Sequence, residues 1–205
     1  PEDRGDLEKA EGLHRRALAI FEKVAPGEEG VQSCLENIAN VAMLRGDLAA
    51  AEDLYRRSLA LQKRGAPDEL GGSTTLINLG NVASRRGDLE AAEAYYHRAL
   101  TIEEKLVGQG SGYSLGSLGI IATLQGDFAA ARAYLRRSLA INEKLAPESL
   151  DVAMSLENLG RLETNSNGDL ATAEELLQRA VTIYEREAPE SLEVAEVLRD
   201  LLAVL

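Results

Sequence analysis

The chain has no tryptophan, one cysteine and two histidines, and aromatic residues make up only 4% of its length. A single cysteine, Cys34, rules out any disulfide within the chain. Together with His14 and His97 it gives no spacing that would hold a metal ion, so neither a metal nor another cofactor is expected. Scarce aromatics among abundant Ala and Leu argue against β-sheets, which favour branched and aromatic side chains, and for closely packed helices. Basic residues are also in short supply, 22 against 34 acidic ones, and the formal charge of -12 speaks against a general affinity for nucleic acid or anionic membrane. No apolar run reaches membrane-spanning length and no signal peptide is visible, so a cytoplasmic protein is expected. The first residue is Pro1 rather than Met, which reads as a fragment of a longer chain.

What the sequence does contain is repetition. Gly-Asp followed by Leu or Phe occurs at Gly5, Gly46, Gly87, Gly126 and Gly168, in steps of 41, 41, 39 and 42 residues. Each copy opens a similar segment, for example GDLAAAEDLYRRSLAL and GDFAAARAYLRRSLAI. The segment before it is helical too: in VQSCLENIANVAMLR, Val31, Cys34, Leu35, Ile38 and Ala42 fall on one face. The glycine is expected to supply a left-handed residue ending the first helix, and the aspartate to cap the second. The second helix buries Leu48, Ala51, Leu54, Tyr55 and Leu59 and stops before Pro26, Pro67, Pro147 or Pro189 in its respective copies. Small residues recur where a neighbouring helix must come close: Ala10, Ala51, Ala92, Ala131 and Ala173, then Ala17, Ser58, Ala99, Ser138 and Ala180. Gly80, Gly119 and Gly160 recur inside the first helix. A glycine there costs about 1 kcal/mol against alanine, so packing that excludes a methyl is expected.

The segments LENIAN, LINLGN and LENLGR, each followed by GDL-x-x-A-E and then Ala-Pro, resemble the tetratricopeptide repeat family over essentially the whole chain. The repeat exceeds the family's common length and is similar to the kinesin-light-chain subtype. Among bacterial proteins the phrasing APESLDVAMSLENLG resembles repeat arrays attached to CHAT domains, which are caspase-like proteases. The resemblance implies an all-α fold, a right-handed α-solenoid of antiparallel helix pairs. The expected organisation is a single array over 1–205, with a partial unit at 1–30, units at 31–71, 72–110, 111–148 and 149–190, and a partial unit at 191–205.

One stretch, GQGSGYSLGSLG from Gly108 to Gly119, also fits other chemistry. Gly112-Tyr113-Ser114-Leu115-Gly116 matches the nucleophile elbow of α/β-hydrolases, and the glycine spacing approaches a dinucleotide-binding loop. Aligned on the repeat, however, Ser114 falls inside a first helix, where the elbow needs a strand-to-helix turn. Both histidines precede Ser114, the wrong order for that triad, and the segment before the glycines is helical rather than a strand. No catalytic set survives and the chain is read as a non-enzyme. The extra glycines are expected to loosen this helix start, making a joint between units or a helix stabilised by something it binds.

The family resemblance implies that the first helices line a concave groove for a protein or peptide. The residues expected to contact it are Asn37, Asn40, Asn78, Asn81, Arg85, Asn158 and Arg161. Asparagine donates and accepts, so a row of them can clasp an extended backbone whatever its side chains. For Asn37, Asn78 and Asn158, and for Asn40 and Asn81 as well, a second reading stays open, that they bond the backbone of a neighbouring unit. A basic ladder, Arg15-Arg16, Arg56-Arg57, His97-Arg98, Arg136-Arg137 and Arg179, reads as a solvated face, with Glu11, Glu52, Asp53 and Glu175 four residues ahead of Arg15, Arg56, Arg57 and Arg179. The final apolar helix, SLEVAEVLRDLLAVL, points to continuation beyond Leu205 or to self-association through the terminal helices. The functional expectation is a non-catalytic interaction scaffold, with no nucleic-acid or membrane partner. The alternative is the sensor arm of a larger signalling enzyme whose CHAT protease domain lies outside these residues.

Overall fold

The structure is a computed structural model that describes residues 2–25, 29–65, 70–108, 110–166 and 168–205. The described residues form ten α-helices: α1 (Glu2–Val24), α2 (Glu29–Arg45), α3 (Leu48–Gly65), α4 (Leu70–Arg85), α5 (Leu89–Val107), α6 (Gly112–Gln125), α7 (Phe128–Leu145), α8 (Leu150–Asn165), α9 (Leu170–Glu187) and α10 (Leu192–Leu202). They fall into two compact units, Pro1–Gln109 and Gly110–Leu205.

The turns inside the helix pairs follow from two residues. Gly46, Gly87 and Gly126 adopt φ of 79°, 80° and 82°, a region that side chains disfavour. That reversal brings the N–H groups of Asp47, Asp88 and Asp127 back onto the carbonyls of Ala42, Ala83 and Ala122, each at 2.9 Å, which satisfies acceptors the helix end would otherwise expose. The same aspartates then accept from Ala50, Ala91 and Ala130 N–H at 3.0–3.1 Å and start the second helix. The fifth copy is built differently. Its extra residue lets α8 end on Ser166, with φ of −91°, and Gly168 is not left-handed. Asp169 keeps its role, accepting from Ala171 N–H at 3.0 Å and the Thr172 hydroxyl at 2.7 Å. Gly5 departs as well: α1 runs through it without a break. Helices α7 and α9 stop two residues before Pro147 and Pro189 as expected; Pro26 and Pro67 lie outside the described residues.

In the N-terminal unit the core joins Val31, Cys34, Leu35 and Ile38 of α2 to Ala51, Leu54, Tyr55 and Leu59 of α3 and Leu76, Leu79 and Val82 of α4. In the C-terminal unit Val152, Ala153 and Leu156 of α8 meet Leu177, Ala180, Ile183 and Tyr184 of α9 and Val197 of α10. Leu159 and Leu162, also from α8, pack on Ala122, Ala131 and Leu135. The recurring glycines have the close contacts that their cost implied. A Cβ on Gly80 would lie 2.5 Å from the Tyr96 ring, one on Gly119 2.5 Å from Leu135 Cγ, and one on Gly160 2.7 Å from Leu177 Cγ. The last helix is only partly covered: Val197 is fully buried, while Leu192, Leu198 and Leu202, and Leu205 beyond the helix, remain exposed.

Candidate functional site

The asparagines of the first helices divide into two kinds. In the N-terminal unit, Asn40 Oδ1 accepts from the Tyr55 hydroxyl at 2.5 Å and Asn81 Oδ1 from the Tyr96 hydroxyl at 2.7 Å. Each bond crosses one helix pair, because the turn brings the ninth residue after its glycine opposite the sixth residue before it. Tyr55 and Tyr96 are buried, so the bond satisfies a hydroxyl that burial would otherwise strand. Burial, with the Glu36 charge nearby, pushes the Tyr55 phenol up to about 12. Asn37, Asn78 and Asn158, by contrast, are half-buried and make no hydrogen bond among the described residues. The reading in which these three bond a neighbouring backbone is therefore not observed; the internal bonds belong to Asn40 and Asn81 instead. Arg85 donates from Nη1 to the Met43 carbonyl at 3.0 Å, tying α4 to α2.

Beside this row lies a polar cluster that the repeat pattern alone does not single out. Glu36 Oε1 accepts from the Ser58 hydroxyl at 2.9 Å, the Thr75 hydroxyl at 2.6 Å and Gln62 Nε2 at 3.3 Å. Three helices, α2, α3 and α4, thus converge on one carboxylate oxygen. The signal in the sequence was the recurrence of small hydroxyl residues at buried positions, which reads equally well as plain small-residue packing.

In the C-terminal unit the corresponding face is different. Arg161 pairs with Glu157 at 3.4 Å and with Asp200 at 3.3 Å, fastening α8 to α10. Glu157 also accepts from the Tyr184 hydroxyl at 3.0 Å. Burial raises the Glu157 carboxyl above its ordinary value, against the opposing pull of Tyr184 and Arg161. Asn158 lines a pocket of about 270 Å³ between α6 and α8, walled by Tyr113, Ile120 and Met154 and floored by Ser138, Asn142 and Ser155. The pocket exists because α6 carries glycines where a side chain would intrude. A Cβ on Gly112 would collide with the Asn142 carboxamide, and one on Gly116 would lie 3.4 Å from Ser138 Oγ.

The glycines of this helix therefore serve packing and leave space. Helix α6 begins directly at Gly112, with the Ser111 hydroxyl accepting from Ser114 N–H at 3.0 Å. Ser114 itself is fully buried within the helix, without the strand-to-helix turn that would expose a nucleophile.

Several members of the basic ladder pair with acidic residues, in part differently from expectation. Arg15 and Arg56 pair with Glu11 and Glu52 four residues earlier, each at 2.7 Å. Arg57 reaches instead across to Glu22 on α1 at 3.3 Å, and Arg179 across to Glu143 on α7 at 2.9 Å. Long arginine side chains bridge to the neighbouring helix where a carboxylate stands there, as Glu22 and Glu143 do. No helix of the described residues is long and apolar enough to cross a membrane.

The tetratricopeptide repeat family model matches residues 2–64, 31–105, 73–144 and 110–186. A comparison with curated proteins gives no match. Among solved structures, BtubC (BKLC) from P. vanneervenii superposes with a TM-score of 0.81 at 21% identity, over 97% of this chain and 82% of that one. A putative kinesin light chain of Podosopora anserina with nearly identical TPR-like repeats gives 0.69 at 20% identity, over 92% of each chain. A variant of that same kinesin light chain gives 0.72 at 20% identity, over 92% of this chain and 91% of that one. At such identities the likeness is one of fold, an α-solenoid of helix pairs of the kinesin-light-chain kind. Paired helices turning on Gly-Asp, the small-residue contacts between them and four overlapping matches along the chain have a single reading: the chain is a member of the tetratricopeptide repeat family.

Proposed function

We propose that the chain is a protein-interaction scaffold whose first-helix faces bind an extended peptide segment, without catalysis. Repeats of this family generally mediate contacts between proteins. The observation that carries the reading is the contrast among the asparagines. Asn37, Asn78 and Asn158 stand half-exposed with no internal hydrogen bond among the described residues, and a carboxamide left that way can donate to and accept from a passing peptide backbone. Asn40 and Asn81 are held in fixed orientation by Tyr55 and Tyr96, which lowers the ordering cost of any contact they make. Arg85 and Arg161, both exposed residues, flank the rows, their guanidinium groups held by the Met43 carbonyl and by Glu157 and Asp200.

The test is selection of a displayed random-peptide library on the intact protein, followed by measurement of the enriched peptides on the Asn37→Ala/Asn78→Ala/Asn158→Ala variant. Peptides that bind the parent and lose about tenfold or more in affinity on the variant, at unchanged helicity, support the reading. Failure to enrich any peptide, or equal affinity for the variant, overturns it.

A further inference from the structure

The pocket between α6 and α8 is the mould of a side chain that the N-terminal unit possesses and the C-terminal unit lacks. On the repeat, Gly116 occupies the position of Glu36, directly after Leu115 as Glu36 follows Leu35. Ser138 and Asn142 lie 12 and 16 residues after Gly126, as Ser58 and Gln62 lie after Gly46. Ser155 precedes Leu156 as Thr75 precedes Leu76. The three groups that converge on the Glu36 carboxylate in one unit are thus matched in the other by Ser138, Asn142 and Ser155, all lining the pocket, while the acceptor is missing.

In its place the donors use substitutes. The Ser138 hydroxyl donates to the Gly112 carbonyl at 2.7 Å and the Ser155 hydroxyl to the Asp151 carbonyl at 2.8 Å. Asn142 Nδ2 donates to Ser155 Oγ at 2.9 Å. Thr75 shows that such a group serves both purposes: it lies 2.6 Å from Glu36 and 3.1 Å from the Gly71 carbonyl. A small rotation of each hydroxyl would turn its hydrogen from the backbone into the pocket.

The charge of the site decides what the acceptor is. No lysine or arginine lines the pocket among the described residues, Asp151 stands on its wall, and the chain carries a formal charge of -12. The Asp151 carboxylate has no hydrogen-bond or ionic partner among the described residues. A second carboxylate would be repelled, whereas a neutral carboxamide offers an oxygen to the three donors and an N–H to Asp151. We infer that this pocket takes the side-chain carboxamide of a glutamine, its oxygen standing where the Glu36 carboxylate stands in the N-terminal unit and its amide donating to Asp151. Tyr113, Ile120 and Met154 pack on the methylenes. The inference rests on the peptide-binding reading above and names the residue that one pocket selects.

The test is a heteronuclear NMR titration of the full chain with N-acetyl-glutamine N-methylamide, alongside the corresponding glutamate and leucine compounds. The expected result is saturable shifts of the Asn142 and Asn158 side-chain amides with the glutamine compound, about fivefold or more weaker binding of the glutamate compound and none of the leucine compound. Gly116→Glu, which fills the pocket from within, abolishes the response. Should that variant not fold, Asp151→Ala is expected to weaken the glutamine compound by about fivefold. No saturable shift, equal response to leucine, tighter binding of glutamate, or indifference to these variants overturns the inference. Because the probe is a single residue, its outcome is separable from that of the peptide selection. Glutamine binding without enriched peptides would defeat the scaffold reading alone. Enriched peptides without glutamine binding would defeat the pocket alone.

Discussion

Three glycines within one turn or two of each other in α6 have three different reasons for being glycine. Gly112 makes room for the Asn142 carboxamide, Gly119 lets Leu135 press on the helix backbone, and a Cβ on Gly116 would meet only Ser138 Oγ, at 3.4 Å. Replacing Gly119 by alanine puts a methyl 2.5 Å from Leu135 Cγ, and Leu135 is fully buried and cannot swing away. Overpacking there outweighs the gain in helix propensity, and a net loss of about 1–2 kcal/mol is expected from Gly119→Ala in urea denaturation. Gly116→Ala meets no such wall and is expected to be neutral or stabilising by up to about 1 kcal/mol. Equal effects from the two would mean that the spacing along α6 does not control its packing. At this scale the sequence was half legible. The recurrence of Gly80, Gly119 and Gly160 foretold close contact, because a costly residue repeated in register needs a reason. That Gly116 is an absent glutamate could be seen only once the partners of Glu36 were known, since hydrogen bonds joining three helices leave no local trace.

At the level of the element, α8 carries two buried glutamates whose surroundings push them in opposite directions. Glu163 is gripped by Arg132 through two hydrogen bonds of 2.7 and 2.8 Å, and this ion pair holds its carboxyl below the ordinary value despite burial. Its folded-state value lies below the unfolded one, so the stability it adds is present above the unfolded value of about 4.3 and is lost as pH falls through the lower folded value. Glu157 is the reverse. Burial raises its carboxyl, so the contribution is favourable below about 4.3 and lost as pH rises through the raised value. Glu163→Gln is expected to lower the midpoint of urea unfolding at neutral pH, the difference closing in acid. Glu157→Gln, which keeps an acceptor for Tyr184, is expected to raise it at neutral pH. Parallel pH profiles for both variants and the parent would refute the assignment. The helices themselves, and the aspartate caps that start their second members, were readable from the Gly-Asp spacing. The roles of the asparagines were not, because whether Asn40 or Asn37 meets the tyrosine depends on the rotation of the helix about its axis, and both lie on the face turned away from the core.

For the molecule as a whole, the structure shows two compact units, each with a core of its own. In repeat proteins stability is close to a sum of local contributions and nearest-neighbour contacts, so the two cores need not melt together. The Gly-Asp-Leu/Phe repeat by itself does not mark this division, but the boundary at Gln109–Gly110 falls within the Gly108–Gly119 stretch, whose extra glycines depart from the repeat. The same division gives the chain an optical property. With no tryptophan to mask them, its phenols dominate the near-ultraviolet absorbance, and Tyr55 and Tyr184 among them ionise late. Tyr55, pushed up to about 12, sits in the N-terminal unit, and Tyr184, raised further by burial and by the Glu157 charge, sits in the C-terminal unit. Their folded values lie above the unfolded value of about 10, so the stability tied to each is full below that pH and lost as pH rises through the folded value. Phenolate absorbance followed through urea unfolding at a pH of about 11 should therefore gain signal as each unit opens, and Tyr55→Phe and Tyr184→Phe should each delete one component. A single phenolate step removed in equal parts by both substitutions would mean that the two units unfold as one; two separable steps would make each tyrosine the colour indicator of its own half of the chain.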